Sequence, residues 1–183
     1  MDRDFLNTLC IQYAPIIDTL INENIKFYRF QEKIRWQFSF TEKLAKFSWC
    51  DPKTNVVYMN IGSVHMSLYR NEPLLIEYYL MHEIRHVYQH IEINNYKNNP
   101  DKCTNPSLAK KWAEEEEIYN KPTSNSTSYF QQNMEFDAFV YAHSVLKYKY
   151  KKLPDYITRP NAYGQEFDDA VNNWCETFKN ENL

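Results

Sequence analysis

Glycine is almost missing from this chain of 183 residues, which holds only Gly62 and Gly164. Loops that cradle phosphate on their backbone amides depend on closely spaced glycines, so fingerprints of the Rossmann and P-loop kinds are excluded. Long apolar runs are missing as well. No stretch reaches the ~18 apolar residues of a membrane span, and Met1-Asp2-Arg3-Asp4 opens nothing like a secretory signal. Clustered positive charge is scarce. With a formal net charge of -3 and no extended Lys/Arg block, electrostatics lend no support to nucleic-acid binding, and none is expected. Its nearest approach, Lys147-Tyr148-Lys149-Tyr150-Lys151-Lys152, reads as a solvated helix end, where cations suit the last carbonyls. Cys10, Cys50, Cys103 and Cys175 are scattered without C-x-x-C spacing. They read as reduced, mostly buried thiols of a cytoplasmic protein, neither a disulfide framework nor a cysteine metal site.

Core-forming residues are plentiful. The hydrophobic share is 43%, with 15 Tyr, 11 Phe and 4 Trp, and the length suits a single domain spanning residues 1–183. From Asp4 to Asn24, Phe5, Leu9, Ile16, Ile17, Leu20 and Ile21 recur at helical spacing, with Pro15 expected to bend or split the helix. Ile34, Trp36, Phe38 and Phe40 alternate with polar residues and predict a half-buried strand. Leu44–Trp49 reads as a second strand, Asp51-Pro52-Lys53-Thr54-Asn55 as a turn, and Val56–Ile61 as a third strand. Asn71-Glu72-Pro73 predicts the start of a helix running to about Ile93, with Asn as cap and Pro in the first turn. Residues 94–128 are polar and read as a flexible insertion around a helix over Ser107–Tyr119. Their run Glu114-Glu115-Glu116-Glu117 reads as a solvated face. Helices follow over Phe130–Tyr148 and Tyr163–Phe178, the last with Phe167, Ala170, Val171, Trp174 and Phe178 on one stripe. The order of helix, three strands and further helices predicts an α+β layout.

Within the third predicted helix lies His82-Glu83-Ile84-Arg85-His86, an H-E-x-x-H pattern preceded by the apolar run Leu74–Met81. On a helix, positions four apart lie within ~40° of each other, so both imidazoles project from one face. They are placed to share one tetrahedral zinc ion. Glu83 stands beside them as a candidate general base toward the attacking water. Arg85 faces elsewhere and is expected to form a salt bridge.

A catalytic zinc needs a third protein ligand. His90 continues the spacing, but it lies about 80° around the helix from His82 and two turns beyond. The long metzincin motif is not met, because Gln89 and Glu92 occupy its glycine and third-histidine positions. A carboxylate from the Phe130–Tyr148 helix is the better source. Glu135 and Asp137 both interrupt an apolar segment, where a carboxylate needs a partner, and they lie about 160° apart around the helix. Glu135 shares its face with Phe139, Ala142 and Leu146, the stripe expected to dock on the motif helix. Asp137 then orients a ligand histidine or closes a neighbouring hydrogen bond. Asp137 and His143 stay open as alternative third ligands, and His65 is a weaker candidate.

His82–His86 followed by Glu135-Phe136-Asp137-Ala138-Phe139-Val140-Tyr141-Ala142 resembles a small zincin metallopeptidase of the glutamate-ligand type. The second segment is similar to the E-x-E-A-[ND]-x-F-A stretch of ImmA/IrrE-type peptidases. Here Asp137 stands where that family has its second Glu, and Phe139 where it has Asn or Asp. The resemblance implies a zincin-like domain, with a small three-stranded sheet packed on the motif helix and further helices. It implies His82, His86 and Glu135 as zinc ligands, Glu83 as catalytic base, and a protein or peptide as substrate. Zincins present an edge strand to an extended peptide, and Val56–Ile61 is the expected edge. A donor for the developing oxyanion is expected from among Tyr79, Tyr88, Tyr141 and Tyr163. The competing class is a zinc-binding regulatory or toxin-like interaction module without turnover.

Overall fold

A computed structural model of the chain describes residues 3–40, 46–118, 127–130 and 132–183. The first helix, α1 (Arg3–Asn24), continues through Pro15 without a break. Leu9, Tyr13 and Ile17, four apart, form its buried stripe. Strands β1 (Arg35–Ser39), β2 (Ser48–Asp51) and β3 (Val56–Asn60) make one mixed sheet in the order β1-β3-β2. β1 runs parallel to β3 and β2 antiparallel to it. The β2–β3 hairpin is closed by Asp51, whose carboxylate accepts from Lys53 N at 3.0 Å and Thr54 Oγ1 at 2.7 Å. Asn55 takes the left-handed φ of 53° that the turn requires.

Two expectations about the sheet need correcting. The second strand covers Ser48–Asp51 instead of Leu44–Trp49, and Leu44 lies outside the described residues. Val56–Ile61 is not an edge: β3 is flanked on both sides, and β2 and β1 are the edges. Ile61 already belongs to α2 (Ile61–Tyr69), a helix the apolar pattern did not announce. Asn60 starts it, with its side-chain oxygen accepting from Gly62 N at 3.0 Å and Ser63 N at 3.3 Å.

The motif helix, α3 (Leu74–Asn98), is longer than expected and begins after Pro73. Asn71 is no cap; it turns the chain with a φ of 57°. α3 is buried nearly all round because it packs on β2 and β3, on α4 (Pro106–Ile118) and on α6 (Asn133–Tyr150). A short helix, α5 (Thr127–Phe130), precedes α6, and α7 (Gln165–Asn180) closes the described fold with Phe167, Val171 and Phe178 inward. The arrangement is α+β, and no described helix is long and apolar enough to cross a membrane.

Polar contacts tie these layers together. The Glu77 carboxylate, at 1% exposure, accepts from Asn24 Nδ2 at 2.8 Å and Tyr150 Oη at 2.7 Å, and pairs with Lys149. One of the lysines expected on a solvated helix end is thus drawn into an ion pair, because α6 ends against α1 and α3. The polar region after α3 is likewise part of the fold as far as residue 118. Glu92 accepts from Thr104 N at 2.7 Å, Asn105 N at 3.1 Å and Thr104 Oγ1 at 2.9 Å, fixing the approach to α4. Trp112 on α4 has no exposed surface and joins Tyr88, Ile93, Ala113 and Met134 in a second apolar cluster. Truncating that ring is expected to cost about 3–5 kcal/mol. A Trp112→Ala denaturant melt that stays within ~0.5 kcal/mol of the parent would mean α4 is dispensable.

The acidic run also does more than face solvent. Glu115 receives Asn133 N at 2.8 Å and Met134 N at 3.0 Å, the first two free amides of α6. A carboxylate suits that position because helix N-termini carry unpaired N–H groups and partial positive charge. The contact fixes the start of α6 two residues before Glu135.

Candidate metal centre

Helices α3 and α6 pack against each other more extensively than any other pair, and this contact assembles the centre. His82 and His86 lie one turn apart on α3 and Glu135 lies in the first turn of α6. All three are buried, Glu135 completely. His82 Nε2 and His86 Nε2 are 3.1 Å apart. Glu135 Oε2 lies 3.3 Å from the first, and Oε1 lies 3.4 Å from the second. An ion bound tetrahedrally at about 2.0–2.1 Å sets its ligand atoms about 3.3–3.4 Å apart. The three separations are close to that spacing, with the carboxylate spanning the imidazoles through different oxygens, Oε2 toward His82 and Oε1 toward His86. This buried His-His-Glu group could hold a metal ion, and among the described residues it is the one cluster of metal-ligating side chains with that proximity.

The buried carboxylate and imidazoles interact strongly. Burial alone would raise the Glu135 carboxyl, yet His86 and the hydrogen bonds from both imidazoles hold it well below the usual carboxylate range. Burial likewise opposes charge on His86, but the Glu135 carboxylate beside it pushes the imidazole up to about 9. A fully buried carboxylate needs a positive partner; a divalent ion between three lone-pair donors provides one.

Glu83 sits in the same turn at 5% exposure. Its Oε1 accepts from Ser48 Oγ at 2.8 Å, so strand β2 holds the carboxylate of the candidate base. Behind the ligands, His86 Nδ1 meets Gln89 Oε1 at 2.7 Å. Gln89 Nε2 donates to Met134 O at 2.9 Å and to Asp137 Oδ2 at 2.8 Å. Arg85 closes the network with Nε to Asp137 Oδ2 at 2.7 Å and a second bond to Oδ1 at 3.0 Å. The Arg85 guanidinium also lies over the rings of Tyr88, Tyr141, Trp174 and Trp112, so the buried charge is paired and stacked on aromatic faces.

The remaining candidates lie apart from the triad. Asp137 is engaged by Arg85 and Gln89 on α3, and not by the ligand histidines. His143 sits edge-on to Tyr78 and Phe167, its imidazole pushed down to about 4 by burial and then by Lys147. His90 stacks behind His86 with Nδ1 3.2 Å from Asn55 Oδ1. His65, on α2, is bonded to the Tyr13 hydroxyl at 2.8 Å. Of the four tyrosines, Tyr141 bonds to Phe27 O, and Tyr88 lies against Arg85. Tyr79 stacks on Phe47 at 4.6 Å near Glu83, whose charge adds to burial in raising its phenol. Tyr163 is buried near Glu135, and its hydroxyl has no hydrogen-bond partner among the described residues.

Ser48 and Gln89 are the two site residues that sequence reasoning missed. Gln89 had a signal, a polar side chain one turn after His86 on a helix otherwise read as buried. Ser48 had none, because a strand-to-helix contact across 35 positions leaves no local pattern. Comparison with protein-family models, with curated proteins and with solved structures finds no match to this chain.

Proposed function

We propose that the chain is a zinc-dependent metallopeptidase that hydrolyses peptide bonds of a protein target. The observation that carries this reading is the buried cluster of His82, His86 and Glu135, whose donor atoms lie close together, with a carboxylate, Glu83, held in the same turn by Ser48. His82, His86 and Glu135 would hold the ion, a donor set that zinc peptidases use. The ion would polarise the scissile carbonyl and acidify the attacking water. Glu83 accepts the proton of that water and delivers it to the leaving amine. Ser48 occupies one carboxylate oxygen and leaves the other for this transfer. Strand β2 is an edge of the sheet and packs on α3, so an extended peptide adding to it would run past Glu83. Tyr79 and Tyr163, whose phenols feel the charges of Glu83 and Glu135, are the candidates among these tyrosines for a donor to the developing oxyanion.

The test begins with elemental analysis of the purified chain, where about one zinc per chain is expected. The loaded protein is then incubated with a complex peptide mixture and new N-termini are mapped. Termini that appear with zinc and vanish on chelation support the reading. Material that takes up no transition metal, or metal-loaded protein that creates no termini in any protein mixture, overturns it.

A further inference from the structure

We infer that Gln89 is a positioning residue that dictates which nitrogen of His86 faces the metal. This inference rests on the metal-site reading above and goes beyond it. The two ends of a glutamine amide are opposite in character, with two N–H donors at one and a lone-pair acceptor at the other. Gln89 Nε2 lies 2.9 Å from Met134 O and 2.8 Å from Asp137 Oδ2. Both partners are acceptors only, one of them a carboxylate held bidentately by Arg85. Turning the amide over would set its oxygen against both, so the orientation is fixed by the network. Oε1 must then face His86 Nδ1, at 2.7 Å. An acceptor at that distance requires Nδ1 to carry the proton. Nε2 is then the nitrogen that would offer its lone pair to an ion, and it is the atom 3.1 Å from His82 Nε2 and 3.4 Å from Glu135 Oε1.

The two histidines are unequal in this respect. His82 Nδ1 is buried with no hydrogen-bond partner among the described residues, so on that side of the ring packing alone, notably Phe139 at 4.2 Å between ring centroids, meets it. His86 is the ligand that the fold presets, and its support passes from α3 to α6 through Gln89 and Asp137 to Arg85. Partners of this kind raise ligand basicity and fix ring orientation, and their loss typically costs 10–100-fold in metal affinity.

The experiment is a zinc titration against a competing chelator, comparing the parent chain with Gln89→Leu, with side-chain nitrogen NMR on the zinc-loaded parent. Gln89→Leu is expected to bind zinc about 10–100-fold more weakly, with the parent's helical circular dichroism retained. In the loaded parent, His86 is expected to be bound through Nε2 and to show a protected Nδ1–H. Equal zinc affinity in the folded variant overturns the inference, and so does a His86 bound through Nδ1. If Gln89→Leu does not fold, the NMR result on the parent decides alone. A parent chain that binds no zinc would instead overturn the metal-site reading and the inference with it, whereas loss confined to the variant bears on Gln89 only.

Discussion

Glu83→Gln is expected to lower peptide hydrolysis by about 10²–10⁴-fold, the range that a positioned general base contributes, while zinc content stays at the parent level. The substitution keeps the size of the side chain and an oxygen that can accept from Ser48 Oγ, now 2.8 Å from Glu83 Oε1. It removes the one property the mechanism needs, a carboxylate able to take a proton. Zinc affinity should be insulated because the group that could hold the ion is His82, His86 and Glu135, without Glu83. The measurement pairs turnover of a mapped target peptide with metal stoichiometry on the same preparation. Parent-like turnover in Glu83→Gln would remove Glu83 from the chemistry, even if the ion were present.

Stripping a bound metal is expected to lower stability by an amount comparable to truncating a core aromatic ring. A ligand that binds only the folded state adds about 4 kcal/mol at a free concentration of 1,000 times its Kd. For a chain of this size each kcal/mol moves the melting temperature by about 2–4 °C, so chelation should lower it by about 8–16 °C. The location makes such coupling direct. The triad joins the two helices with the most extensive mutual contact, and Glu135 stands at 0% exposure where an unbalanced charge is costly. Thermal scans of zinc-loaded and chelated protein, followed by zinc re-addition, measure it. Identical melting in the two states would show that these side chains hold no ion of consequence for the fold.

The parts of the site readable in the sequence are those carried by helix periodicity. His82, Glu83 and His86 announce themselves by spacing, and Glu135 by interrupting an apolar helical segment, since one turn of α3 or α6 decides which side chains share a face. What stayed hidden depends on neighbours distant in the chain. The apolar run at Val56–Asn60 marks a strand but not how many strands flank it, so the parallel pairing with β1 and the central place of β3 were out of reach. Helix α2 was missed because Gly62, Ser63 and Ser67 dilute its apolar pattern, although Asn60 ahead of it was a capping signal. The acidic run misled for a similar reason. Three of its carboxylates look alike in sequence to Glu115, and only the arrival of α6 distinguishes the residue that receives two backbone amides.

Asn60 has a double duty: it pairs with Ser39 as the last residue of β3 and is the cap of α2. The adjacent β3 residue, Met59, is the partner of Ser48 across the hairpin. A slip of β2 along β3 by a single position would turn Ser48 to the opposite face of the sheet, because side chains alternate. The seat of the Glu83 carboxylate is therefore indexed to strand alignment, and a misaligned hairpin could leave a well-folded helical half with its general base unmoored.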